Sequence, residues 1–166
     1  MNPDSGGRPE IDTAPPGLRY TVVDIDPRAV DAVLARNDAR IVAGHVVAPE
    51  HPIELGRQFA GIYAKEVIEH IHAWPTWLAG LRRSLVPGGR LWLSTPNYGE
   101  PWLPTLESTV LEAVARRDGF SRRHIHPTRF SRRSLERGLE AAGFASVHAR
   151  VMPTRLAITA WAQAPR

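Results

Sequence analysis

The 166-residue chain has no cysteine, which excludes disulfide staples, zinc ribbons and thiol nucleophiles. It has a single lysine, Lys65, so arginine supplies the rest of its 21 basic residues. Set against 17 acidic residues, these leave a formal net charge of only +4, which is weak support for a nucleic-acid binder. Aromatic residues are few, at 7%. No window approaches the roughly 20 uninterrupted apolar residues of a membrane-spanning helix. The N-terminus, MNPDSGGRPE, lacks the apolar core of a secretory signal, so a cytoplasmic location is expected. What remains is ordinary for one globular domain: 43% hydrophobic and 23% charged residues.

Residues 1–17 carry four prolines and three glycines around one isolated Ile11, too little apolar surface to offset ordering entropy. They read as a disordered tail. From Leu18 the pattern changes. Tyr20 to Ile25 is a β-branched run suited to a strand buried on both faces. Pro27 fits the first turn of a helix whose stripe is Ala29, Val30, Val33 and Leu34. Ile41-Val42 and Val46-Val47 frame a second strand, and Phe59 to Ala64 forms a third that runs straight into a helical segment, Glu66 to His70. An amphipathic helix is expected over Trp77–Leu85, stopped by Pro87-Gly88-Gly89, with a strand over Arg90–Thr95. Leu106–Ala115 reads as helical, and Ser131 caps a helix that reaches Ala142 and stops at Gly143. Phe144–Val151 and Leu156–Ala162 are the closing strands. Only four residues separate that last pair, too few for a crossover, so it must form an antiparallel hairpin. Alternating strands and helices predict an α/β fold with a mostly parallel, Rossmann-like sheet ending in this hairpin.

Four stretches in this order resemble the class I S-adenosylmethionine-dependent methyltransferases, in the small-molecule branch that includes ubiquinone-type O-methyltransferases. Val22-Val23-Asp24-Ile25-Asp26-Pro27 is similar to the family's second strand, and Phe59 through His70 to its fourth strand and the helix start after it. Leu85 through Leu91 resembles the Pro-Gly-Gly turn before its fifth strand, and His126–Ser131 with Ala142-Gly143-Phe144 its late helix and exit. The resemblance implies S-adenosylmethionine as cofactor and methyl transfer to a small-molecule oxygen, nitrogen or carbon. It makes Asp24 the acid that holds the ribose hydroxyls, next to Ile25. His45 stands where relatives often place an acid for the adenine amine, and the backbone of Lys65 lies along the cofactor. Tyr98 and Trp102 stand where relatives line the substrate.

Asp24 sits where a strand's carboxyl end meets a helix start, the position from which a carboxylate can accept both hydroxyls of a ribose. The plainer alternative, a helix cap, suits Asp26 better. Glu66, Glu69 and His70 stand three and four residues apart, a spacing that puts them on one helical face. Such a set can act as a general base, with His70 or Glu66 foremost, or hold a divalent metal. No metal is assigned, and the three remain candidates only. Solvated carboxylates beside a packed histidine are the plainer reading. Eight arginines between 116 and 137 face only Asp118 and Glu136. That stretch fits an anionic ligand or RNA backbone, or simply a solvated surface, and Phe120 and Phe130 are sparse for base stacking.

The family's glycine-rich loop after its first strand is missing. Only 23 residues precede Asp24, and Gly6-Gly7 neither follows a strand nor opens a helix. Ala60 also replaces an acid common near the start of the family's fourth strand. Residues 18–166 therefore read as a truncated domain lacking the family's first strand and helix, with residues 1–17 a tail or a misread start. The lost strand is central, so either its two neighbours pair directly or a gap opens that a second copy or a partner chain fills. The expected partners are a small-molecule substrate and such a sheet-completing chain, with no membrane span and no nucleic acid. A catalytically inactive scaffold and an RNA-binding or RNA-modifying protein stand as alternatives.

Overall fold

The computed structural model describes residues 16–48, 55–99 and 127–166. The chain divides into two units, Met1–Ala48 and Pro49–Arg166.

In the first unit, β1 (Tyr20–Asp24) pairs in parallel with β2 (Ile41–Val46), and α1 (Pro27–Leu34) joins them. Asp26 caps α1: its Oδ1 accepts the Arg28 amide at 2.9 Å, and Pro27 opens the helix. Gly44 is glycine for packing reasons, since a Cβ there would stand 2.6 Å from Val30 Cγ1. The helix and the strand approach closely at that point.

In the second unit the strand order is β3-β4-β6-β5, with β3 at Phe59–Lys65, β4 at Leu85–Pro96, β5 at Ala145–Val151 and β6 at Ala157–Gln163. β3 and β4 run parallel, and β6 is antiparallel to both β4 and β5. The mixed α/β architecture with a closing antiparallel hairpin is the expected one. The parallel strands, however, lie in two sheets. Among the described residues β1 pairs with β2 in one sheet and β3 with β4 in the other.

Two helices cover one face of the larger sheet. α2 (Trp74–Arg83) starts earlier than its apolar pattern implied, with Pro75 in its first turn. β4 begins at Leu85, so Pro87-Gly88-Gly89 interrupts a strand instead of preceding one, and the β3–β4 register shifts there. Gly88 takes φ +74°, which favours glycine. α3 (Arg132–Ala141) has the expected start: Ser131 and Ser134 form a reciprocal capping box, and Gly143 follows at φ +84°. Leu78, Leu81, Leu135 and Leu139 pack against Leu91, Leu93, Ile158 and Ala160, which strand alternation places on one face. The expected helix over Leu106–Ala115 lies outside the described residues. Among the described residues no helix is long and apolar enough to cross a membrane.

Candidate functional site

Each unit carries its candidate residues at the carboxyl ends of its own parallel strands, where α/β folds bind ligands. In the first unit Asp24 is the last residue of β1 and is exposed. Its Oδ1 accepts the Asp26 amide at 2.9 Å, which leaves the second oxygen for an incoming diol. That arrangement fits a ribose-holding acid. Ile25 follows and is 54% exposed. His45 lies in β2 opposite Val23 and is half-buried. No strand among the described residues leads through a Gly-x-Gly turn into a helix, so the described residues fit the ribose end of the cofactor only.

In the second unit Lys65 ends β3, exposed and paired in register with Ser94. The chain then turns sharply, with Glu66 at φ +52°, a left-handed conformation unusual for a side chain of this kind. A single 3-10 turn, Ile68–His70, follows in place of the expected helical segment. Glu66, Glu69 and His70 therefore do not share a helical face. Glu66 accepts the Ser94 hydroxyl at 2.8 Å on Oε1, and Glu69 accepts the Thr95 hydroxyl at 3.0 Å on Oε2. Ser94 and Thr95 are consecutive on β4 and point to opposite faces of the sheet, so the two carboxylates are divided between those faces. Among the described residues no group of three metal-ligating side chains converges.

Glu69 is the electrostatic centre of this region. It is 1% exposed, and its Oε1 has no hydrogen-bond partner. Burial pushes its carboxyl up to about 7 from an ordinary 4.5, and the Glu66 charge adds to the rise. The Glu69 backbone amide and the Thr95 hydroxyl oppose it without cancelling it. His70 Nε2 stands 3.9 Å from Glu69 Oε1, beyond hydrogen-bonding distance, with 39% of its side chain exposed. A carboxyl that titrates near neutrality beside an accessible imidazole is equipment for proton transfer.

Residues outside the expected set hold this corner together. Thr128 donates its amide to the Glu69 carbonyl at 3.2 Å and its hydroxyl to the Ile71 carbonyl at 3.1 Å. Asn97, 2% exposed, donates from Nδ2 to the Arg155 carbonyl and accepts the Gly99 amide on Oδ1. Ser94, Thr95 and Asn97 had one signal in sequence: polar residues that close an otherwise apolar strand. Tyr98, half-buried, lies beneath the Arg129 guanidinium at 5.3 Å and donates its amide to Phe130 at 2.8 Å. Trp102 and the first half of the arginine-rich stretch, residues 116–126, lie outside the described residues.

A family profile described as a methyltransferase domain matches residues 9–149. No curated protein matches the chain in sequence. Among solved structures, it is similar to a chain in the complex between the Haloferax volcanii Trm112 methyltransferase activator and a candidate methyltransferase, at 15% identity and a TM-score of 0.67. That match covers 89% of this chain and 73% of the other. The N-methyltransferase NodS of Bradyrhizobium japonicum WM9, bound to S-adenosyl-L-homocysteine, is similar at 18% identity and a TM-score of 0.58, over 89% and 67% of the two chains. A phosphoethanolamine N-methyltransferase of Haemonchus contortus follows at 16% identity and 0.66, over 90% of this chain and 44% of that one. Across such neighbours the chain spans between 39% and 74% of their lengths. With most of its residues inside the family match, the chain belongs to the class I S-adenosylmethionine-dependent methyltransferase family.

Proposed function

We propose that residues 18–166 act in methyl transfer from S-adenosylmethionine to a small-molecule oxygen, nitrogen or carbon. The observation that carries this reading is the Glu69–His70 pair at the end of β3, a buried carboxyl raised to about 7 next to an accessible imidazole. When bound, the cofactor supplies an electrophilic methyl group on a sulfonium. The chain's residues then have to hold the two reactants and manage a proton.

Asp24 is assigned to the ribose hydroxyls, with Ile25 and His45 as further cofactor residues of the first unit and Lys65 as the cofactor residue of the second. His70 is the base for an acceptor hydroxyl or amine, and its exposure suits that role. Glu66 is the weaker candidate because Ser94 already holds one of its oxygens. Glu69 sets the field around His70. Tyr98 and Trp102 are assigned to the acceptor.

Calorimetric titration with S-adenosyl-L-homocysteine tests the cofactor half. Asp24→Ala should weaken affinity at least about tenfold, the loss of one charge-assisted hydrogen bond of roughly 1.5–3 kcal/mol. His70→Ala should leave that affinity unchanged and lower turnover by about a hundredfold. Unchanged binding in Asp24→Ala removes the ribose assignment, and equal losses of affinity in both variants make His70 structural.

A second reading follows from the strand order. Among the described residues β1 and β3 each stand at the edge of their own sheet. A partner chain that supplies a strand would complete the fold, and this chain would then act only within a complex.

A further inference from the structure

The face of the larger sheet opposite its core carries a row of aromatic side chains. Tyr63, Trp92 and Trp161 are directly in register on β3, β4 and β6, with His148 next in the row on β5. Tyr63 is 52% exposed and Trp161 39%. Solvent rarely meets so much contiguous aromatic surface on a protein that works alone. Arg90 lies two residues before Trp92 on the same face, and Arg150 two residues after His148. Both are exposed. No acidic residue occurs in any of the four strands. Glu66, just beyond β3, is held by Ser94.

We infer that this face is the docking surface for a protein partner that presents an amphipathic helix with acidic margins. This goes beyond the catalytic reading and is compatible with a partner that also completes the sheet. Ring geometry selects a helix over a nucleic acid. Tyr63 and Trp92 stack on each other with centroids 4.2 Å apart and planes 2° from parallel. Their stacking axis runs from strand to strand, so the rings stand upright on the sheet. The Arg150 guanidinium lies 5.5 Å from the Trp161 centroid, over that ring. One face of Tyr63 and one of Trp92 are taken up by that stack and one face of Trp161 by Arg150, so ring edges make up much of the surface offered outward. Aliphatic side chains of a helix pack on such edges, whereas bases need open faces. Charge selects the partner's margins, because Arg90 and Arg150 call for carboxylates. A second copy would bring two cationic faces together.

The test uses the full chain without cofactor, so its failure is separable from failure of the methyl-transfer reading. Tryptophan fluorescence is titrated with a synthetic amphipathic peptide of leucines flanked by glutamates. The same peptide with lysines in place of the glutamates, and a single-stranded oligothymidine, serve as comparisons. Micromolar binding of the glutamate peptide alone is expected. Trp161→Ala should weaken it at least tenfold, and the double variant Arg90→Glu, Arg150→Glu should transfer the preference to the lysine peptide. Equal binding of both peptides, or none, overturns the inference. Oligothymidine binding that Trp161→Ala abolishes would make the face a nucleic-acid surface. A dimer in light scattering that the double variant strengthens would make it a contact between copies.

Discussion

The Thr95 hydroxyl donates a hydrogen bond to Glu69 Oε2 across 3.0 Å, from a side chain fully buried in β4 to one fully buried in the 3-10 turn. Even so, Oε1 of that buried carboxyl has no hydrogen-bond partner. The folded chain therefore binds a proton at Glu69 more tightly than the unfolded chain does.

The sign of the pH effect follows. Burial raises Glu69 from 4.5 to about 7, so between those values the folded state keeps a proton that the unfolded state has released. Stability consequently falls as pH rises through that window and is fully lowered above it. Glu69→Gln, which keeps an acceptor for Thr95 without the charge, should gain about 2–3 kcal/mol over the parent at pH 8 relative to pH 4. Urea unfolding of both proteins at the two pH values measures it. Parallel pH dependence would mean that Glu69 ionises freely.

Gly138 faces Trp74 across the contact between α3 and α2. A Cβ there would stand 2.8 Å from Trp74 Cζ3, and that ring is braced edge-on against Phe130. Gly138→Ala adds roughly 1 kcal/mol of helix propensity. Overpacking against a rigid indole costs about 1–3 kcal/mol, so a net loss of stability is expected. A raised melting temperature would show that the ring can yield.

Ser131 serves the start of α3 twice, accepting the Ser134 amide on its hydroxyl while its own amide donates to Ser134 Oγ. Ser131→Ala should cost about 1 kcal/mol. Replacement by aspartate, also a good cap, should recover most of that. Equal losses in both variants would point instead to the close approach of Gly99, where a Cβ would stand 3.2 Å from Ser131 Cβ.

The sequence made the regular elements legible where pattern and punctuation agree. Ser131 and Gly143 bracket α3, Asp26 and Pro27 open α1, and the short Met152–Arg155 link forces the β5–β6 hairpin. It misled where one residue overrides a pattern. Glu-x-x-Glu-His has helical spacing, yet the left-handed turn at Glu66 and the first-turn proline at 75 confine the intervening chain to a 3-10 turn. The need for glycine at 44, beside His45, showed only in the fold, where a Cβ would stand 2.6 Å from Val30 Cγ1. Thr95 and Asn97 gained meaning only from partners far along the chain, Glu69 and Arg155, which periodicity cannot reveal.

The division of strands between two sheets has a consequence for cooperativity. Among the described residues of the first unit only Val30 is buried, whereas the second encloses a continuous core. A two-stranded sheet with one helix has little to resist opening on its own. Amide protons of Tyr20–Asp24 and Ile41–Val46 should exchange with deuterium well before those of Leu91, Leu93 and Ala160. A ligand held by Asp24 would then slow exchange first in the least protected strands, so protection at β1 and β2 is a sensitive reporter of cofactor binding.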